Sequence, residues 1–165
     1  MNYTELKTNI EDICENSFTD DQLAMFTQQA EQKIYNTVQI PALRKNVTGT
    51  LTASNKYLST PSDFLWSYSL AVVDASGVYH FLLNKDVNFM REAYPKPTDT
   101  GLPKHYAYFD DDTFIVGPTP DSSYTSELHY GYYPQSIVTA GTTWLGDEFD
   151  SALLNGALIE AIRFM

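Results

Sequence analysis

Hydrophobic residues recur along this chain with a helical period near both ends and a two-residue period between them. Over residues 3–15, Leu6, Ile10, Ile13 and Cys14 fall on one stripe at helical spacing, and Asn16-Ser17 breaks it. The next helix has a well-marked start. Thr19 is placed to cap it, Gln22 stands where it completes a capping box, and Asp20 and Asp21 suit the positive end of the helix dipole. Phe18 before the cap and Leu23 after it are spaced for a hydrophobic staple. Leu23, Phe26, Ala30, Ile34 and Val38 then continue one apolar face until Ile40-Pro41 stops it.

Beyond Arg44 the period changes. Residues 47–52 and 56–59 read as two short strands with a Ser-Asn turn between them. Trp66, Tyr68, Leu70 and Val72 alternate with Ser67, Ser69 and Ala71, the pattern of a strand with two unlike faces. Asp74-Ala75-Ser76-Gly77 predicts a turn, and residues 78–83 its partner strand. Asn84 predicts the cap of a short helix through Val87, Phe89 and Met90, followed by a proline-bounded loop over 95–103.

Residues 106–109 and 113–116 predict a hairpin tipped by Asp110, Asp111 and Asp112, and residues 117–121 turn the chain again. Tyr124, Ser126, Leu128, Tyr130 and Tyr132 alternate with Thr125, Glu127, His129 and Gly131 in a last strand. Residues 134–146 read as irregular. From about Asp147 a final helix turns Phe149, Leu153, Leu154, Ala157, Leu158, Ala161 and Ile162 inward. Its pattern is still running at Met165, which predicts that it continues or is completed by a partner.

The order implies an α+β fold: terminal amphipathic helices packed together, with an inserted antiparallel β-sheet module. It is read as a single domain, with residues 1–45 and 147–165 helical and 46–134 the β module.

Composition sharpens this picture. With 43% hydrophobic residues the chain has enough apolar surface for a core. Twelve Tyr, nine Phe and two Trp favour sheet, because aromatic rings fit a pleated, half-buried surface. The single cysteine, Cys14, has no partner for an internal disulfide and reads as a small apolar residue on a helix face. No apolar run is long enough to span a bilayer. The first residues lack the basic and apolar regions of a signal peptide, which predicts folding in a reducing cytoplasm and leaves the sequons at Asn2 and Asn46 as chance.

Charge restricts function further. A formal net charge of −11 repels phosphate, so a protein that grips DNA or RNA is disfavoured. Arg44-Lys45 is the only adjacent basic pair and reads as a solvated helix end.

The candidate chemistry is sparse. Asp110, Asp111 and Asp112 offer hard oxygen ligands for Ca²⁺ or Mg²⁺, but consecutive residues diverge and no spaced carboxylate partner follows. They read instead as an exposed acidic hairpin tip that discourages edge pairing. His80, His105 and His129 lie on or beside separate strands, without metal-ligand spacing, and read as cross-strand neighbours of tyrosine. No nucleophile elbow and no glycine-rich phosphate loop occurs, so neither a catalytic site nor a cofactor or metal site is expected. The tyrosines at 106, 108, 124, 130, 132 and 133 suit either stacking of sugars or bases, or sheet core and protein interface; the second is favoured.

Four phrases follow one another along the chain: Thr60-Pro-Ser-Asp-Phe-Leu leading into a strand, Gly101-Leu-Pro-Lys-His-Tyr-Ala, Ile115-Val-Gly-Pro-Thr-Pro-Asp, and Glu127-Leu-His-Tyr-Gly-Tyr-Tyr-Pro. In this order they resemble the head–tail adaptor (connector) proteins of short-tailed bacteriophages. Thr143-Trp-Leu and the segment Asp150-Ser-Ala-Leu-Leu-Asn-Gly-Ala-Leu-Ile-Glu-Ala extend the likeness. Each phrase is only modestly specific; their order and spacing carry the resemblance, which covers the chain from the end of the second helix onward.

The resemblance implies a non-enzymatic virion protein made in the host bacterial cytoplasm: a dodecameric ring at the head–tail interface, between the portal protein and the tail or nozzle proteins. Genomic DNA would pass its lumen without specific binding, and no membrane or cofactor is implied. A ring needs heterologous surfaces that close on themselves. The aromatic residues expected to supply subunit or partner contacts are Trp66, Tyr130, Tyr132, Trp144 and Phe164. A carbohydrate- or receptor-binding tail module is the alternative, suggested by tyrosine beside acidic residues.

Overall fold

The change of hydrophobic period near Arg44 is also where the fold divides. The computed structural model, which describes residues 1–38 and 40–165, contains two units: Met1–Ala42 with Pro134–Met165, and Leu43–Tyr133 inserted between them in the chain. Its helices are α1 (Tyr3–Cys14), α2 (Asp20–Thr37), α3 (Val87–Ala93), α4 (Ile137–Ala140), α5 (Trp144–Glu148) and α6 (Asp150–Phe164). The strands are β1 (Arg44–Leu51), β2 (Tyr57–Ser59), β3 (Phe64–Val73), β4 (Tyr79–Phe81), β5 (Leu83–Asn84), β6 (Thr100–Gly101), β7 (His105–Asp110), β8 (Thr113–Gly117), β9 (Thr119–Pro120) and β10 (Tyr124–Tyr132). The protein is α+β, with its terminal helices packed on one another and mainly antiparallel sheets in the inserted segment.

In the helical unit both long N-terminal helices begin with reciprocal capping boxes. Thr19 and Gln22 exchange side-chain and backbone hydrogen bonds of 2.9 and 3.3 Å. Asn2 and Glu5 do the same at the start of α1, at 2.9 Å each. Phe18, expected to staple the start of α2, sets its ring edge-on against Phe26 one turn further in, with centroids 5.3 Å apart. Helix α6 packs against α1 and α2. The buried face comprises Leu6 and Ile10 of α1, Leu23, Phe26 and Ala30 of α2, and Leu153, Ala157 and Ala161 of α6.

The apolar stripes of the sequence are wider than the faces that pack. Ile13, Val38, Phe149 and Ile162 were expected inside and are exposed. In α2 the buried side turns instead toward Thr27, Glu31 and Tyr35. The physical reason is that a helix buries only the strip its neighbours cover, whatever its own periodicity allows.

Residues 134–146 are helical rather than irregular. Ser136 caps α4 by accepting from Val138 N at 3.2 Å, and Thr143 caps α5 by accepting from Gly146 N at 3.3 Å. Helices of four and five residues are too short to display a hydrophobic period.

The inserted unit is a sandwich of two four-stranded sheets. One runs β1-β10-β3-β4, antiparallel throughout; the other runs β2-β8-β7-β5, with β5 parallel to β7. A bridge between β6 and β9 ties the two proline-rich segments read as a loop and a turn. Leu70, Val72, Leu128 and Tyr130 from the first sheet meet Tyr106, Phe114 and Val116 from the second in one core cluster, with Leu51 and Leu82.

The turn at Asp74 forms as its residues predict: Gly77 N donates to Asp74 O at 3.0 Å, and Asp74 Oδ1 accepts from Ser76 N and Val78 N. The returning segment does not remain one strand. Phe81 ends in the first sheet, Leu83 opens a strand of the second, and Leu82 between them is buried in the core. The short helix that follows is capped by Asp86, which accepts from Phe89 N at 2.8 Å, while Asn84 pairs with Tyr106. Arg44-Lys45 likewise is not a helix end: the two residues open β1, opposite Gly131 and Tyr130.

Candidate functional site

The chemistry-bearing residues of the β unit are built into its fold. Asp63 follows Pro61 in a turn closed by Phe64 N donating to Pro61 O, which sets its carboxylate at the end of β3. Lys45 Nζ donates to Asp63 Oδ2 at 2.6 Å, and the Tyr130 hydroxyl donates to Oδ1 at 2.9 Å. Burial opposes ionisation of Asp63, but the hydrogen bonds from Lys45 and Tyr130, with the lysine charge, outweigh it and hold the carboxyl below the usual range. Tyr130 shifts the other way. Burial first, then the bond to Asp63, pushes its hydroxyl up to about 12. Lys45 also lies 3.9 Å from the centroid of Tyr132, so one cation serves an ion pair and an aromatic face.

A second network joins the sheets. The Tyr106 and Tyr108 hydroxyls both lie 2.7 Å from Ser67 Oγ. Tyr108 also accepts from Ser67 N at 2.9 Å. Tyr124 donates to Asp121. Through Ser67, the Tyr106 and Tyr108 hydroxyls tie the two sheets of the sandwich together.

The histidines stay apart, each with its own partner. His80 Nε2 is 2.8 Å from Asp74 Oδ2, and this contact first, then the backbone donors of the turn, holds the Asp74 carboxyl low. His105 Nδ1 is 2.6 Å from the Tyr94 hydroxyl, and His129 packs on Tyr68. Among the described residues no three His, Cys, Asp or Glu side chains converge to hold a metal. No described helix is long and apolar enough to cross a membrane.

The aromatic residues expected at interfaces fall in unlike places. Tyr130 is 3% exposed and belongs to the core. Trp66 is half-buried, its indole laid over Gly131, and Tyr132 is half-buried beneath Lys45. In the helical unit, Trp144 is exposed and packs on exposed Phe149, while Phe164 packs on Phe26 and stays 52% exposed. Asp110, Asp111 and Asp112 are all exposed at the β7–β8 hairpin.

Two apolar surfaces are exposed; the sequence pointed to the one at the end of α6, through Phe164 and a pattern still running at Met165, and not to the one at β4. Val78, Tyr79, Phe81 and Leu83 are each about half exposed or more, along the β4 edge and into β5, with Phe81 at 66%. Ile159, Ile162, Phe164 and Met165 are similarly exposed at the end of α6. Such runs on a folded surface mark contacts with other proteins. The signal of the β4 edge was present in the sequence but indistinguishable from core, since an apolar strand reads alike on either side of a sheet.

The whole chain, residues 1–165, matches the model of the SU10 adaptor protein family, and the protein belongs to that family of phage adaptors. No curated protein matches the chain.

Proposed function

We propose that this adaptor is a structural, non-enzymatic part of the particle neck. Identical subunits form a ring seated between the portal and the tail, and the genome passes through its lumen when it is ejected. The observation that carries the reading is the family match along the entire chain. The apolar surfaces at β4 and at the end of α6 suit lateral and axial contacts with other subunits and with neck proteins. The net charge of −11 suits a channel wall that repels phosphate and lets DNA slide.

Electron microscopy of the purified protein mixed with the portal protein of the same virus tests this. The expected image is a closed ring docked coaxially on the portal. A protein that stays monomeric and never associates with the portal overturns the reading.

A further inference from the structure

The β7–β8 hairpin is electrically polar. At its tip the three aspartates are exposed. The tip is shaped by its own bonds: Asp112 N donates to Asp110 Oδ1, Thr113 Oγ1 donates to Asp112 Oδ1, and Thr60 N donates to Asp112 O. Asp111 has no hydrogen-bond or ion-pair partner among the described residues.

The open end of the same hairpin, ~17 Å away for five residues of strand, is basic. Lys104 precedes β7, and Lys85 N donates to Tyr106 O beside it. Lys56 O accepts from Val116 N, and Arg91 lies on α3, which packs against β7 and β8. None of these four cations has a carboxylate partner among the described residues. Their field is felt locally: burial first, then Lys85 and Lys104, hold His105 below the ordinary histidine range. Lys56 and Arg91 flank a cavity of about 190 Å³ floored by Met90, Tyr94, Ile115 and Val116. That space is ample for one carboxylate side chain.

We propose that this cavity, walled by Lys56 and Arg91, receives the Asp110–Asp112 tip of a second copy of the chain, so that β units associate head to tail. The occupant follows from charge complementarity. Lys56 lies 5.5 Å from the Tyr57 ring centroid, yet neither it nor Arg91 has a carboxylate among the described residues, and in so acidic a protein cations beside a cavity call for one. An exposed run of three carboxylates stands at the opposite end of the same hairpin, where it cannot fold back to fill its own cavity. A contact between unlike ends of identical subunits is heterologous: repeated in one sense it builds a ring where the rotation between neighbours closes, and an open filament where it does not. Exposed charge pairs add little affinity one by one, so the role of this contact is to set direction and register, with apolar surfaces supplying adhesion.

The proposal rests on the ring reading above. Its test uses two variants, Lys56→Glu with Arg91→Glu, and Asp111→Lys with Asp112→Lys, each mixed with the virus's portal protein and scored for rings by electron microscopy. Each variant alone is expected to lose roughly ten-fold or more in ring yield, because like charges then meet at every junction. An equimolar mixture is expected to recover rings, since the acidic cavity of one accepts the basic tip of the other, which also shows that both variants fold. Wild-type rings together with undiminished rings from either variant overturn the contact and leave the ring reading standing. A mixture no better than its parts, with native circular dichroism throughout, also overturns the contact. Wild-type protein that forms no ring on the portal overturns both.

Discussion

The indole of Trp66 lies against Gly131 of the neighbouring strand so closely that a Cβ at residue 131 would stand 2.3 Å from Trp66 Cε2. The two residues are opposite one another in the β10–β3 ladder, where β10 carries irregularities on both sides of Gly131. The glycine thus gives the ring its seat, although the buried Trp66 Nε1 has no hydrogen-bond partner among the described residues.

Gly131→Ala is expected to lift the indole and cost about 1–3 kcal/mol, the usual range for overpacking a well-fitted site. Thermal unfolding reads the loss. In a Trp144→Phe background, tryptophan fluorescence reports Trp66 alone and is expected to shift to the red as the ring meets more water.

Asp63 anchors Lys45 and Tyr130, so its removal costs more than the loss of either donor. Tyr130→Phe is expected to destabilise by about 1 kcal/mol, and Asp63→Ala by about 1–3 kcal/mol because the Tyr130 hydroxyl is left unpaired. The pH dependence has a definite sign. A carboxyl held low in the folded state stabilises fully above its unfolded value, and that contribution disappears as pH falls through the depressed folded value. The difference between wild type and Asp63→Ala in urea unfolding should therefore shrink in acid. Tyr130 acts at the other extreme: stability declines as pH rises from the unfolded tyrosine value near 10 toward about 12.

Glu31 is buried in the helical unit, where it accepts from Ile137 N at 2.8 Å. Burial raises its pKa, partly offset by Ile137 N and Ser136. The folded state therefore holds the proton more tightly, and stability falls as pH rises from the unfolded glutamate value through the raised folded one. Glu31→Gln keeps an acceptor for Ile137 and removes the charge, so its stability relative to wild type should rise across that window and level off above it. Glu31→Ala leaves the Ile137 N–H without its acceptor and is expected to cost about 1–3 kcal/mol at neutral pH. Denaturant melts of the three proteins at several pH values decide this.

Gly156 brings α6 close to α2: a Cβ there would lie 3.0 Å from Ala30 Cβ. Gly156→Leu must push the helices apart and is expected to cost about 1–3 kcal/mol or more. Gly156→Ala is expected to stay near wild type, because a gain of about 1 kcal/mol in helix propensity opposes mild crowding. Calorimetry of the two variants separates the effects.

Much of the fold was legible in the residues because the causes are local. Thr19 and Gln22 cap α2 across three positions, Asp74 shapes a turn within four, and the aspartate-tipped hairpin follows from alternation on either side of one reversal. The helix–strand–helix order and the α+β class needed only a change of hydrophobic period. The cap of α3 was misplaced by two residues because Asn84 and Asp86 are both competent caps, and pairing of Asn84 with β7 chose between them.

The sequence by itself determined the two N-terminal helices, the final helix and most of the strands, where several of them start, and that the chain is acidic and aromatic. Only the tertiary structure decided that Leu82 carries the chain from one sheet to the other, and that Tyr130 is core while Phe81 is surface. It also decided that Asp63 gathers Lys45 and Tyr130, and that Lys56 and Arg91 share a cavity. The division has a physical cause. Propensity, capping and alternation act within a few residues, whereas burial and charge pairing depend on which distant segment arrives opposite.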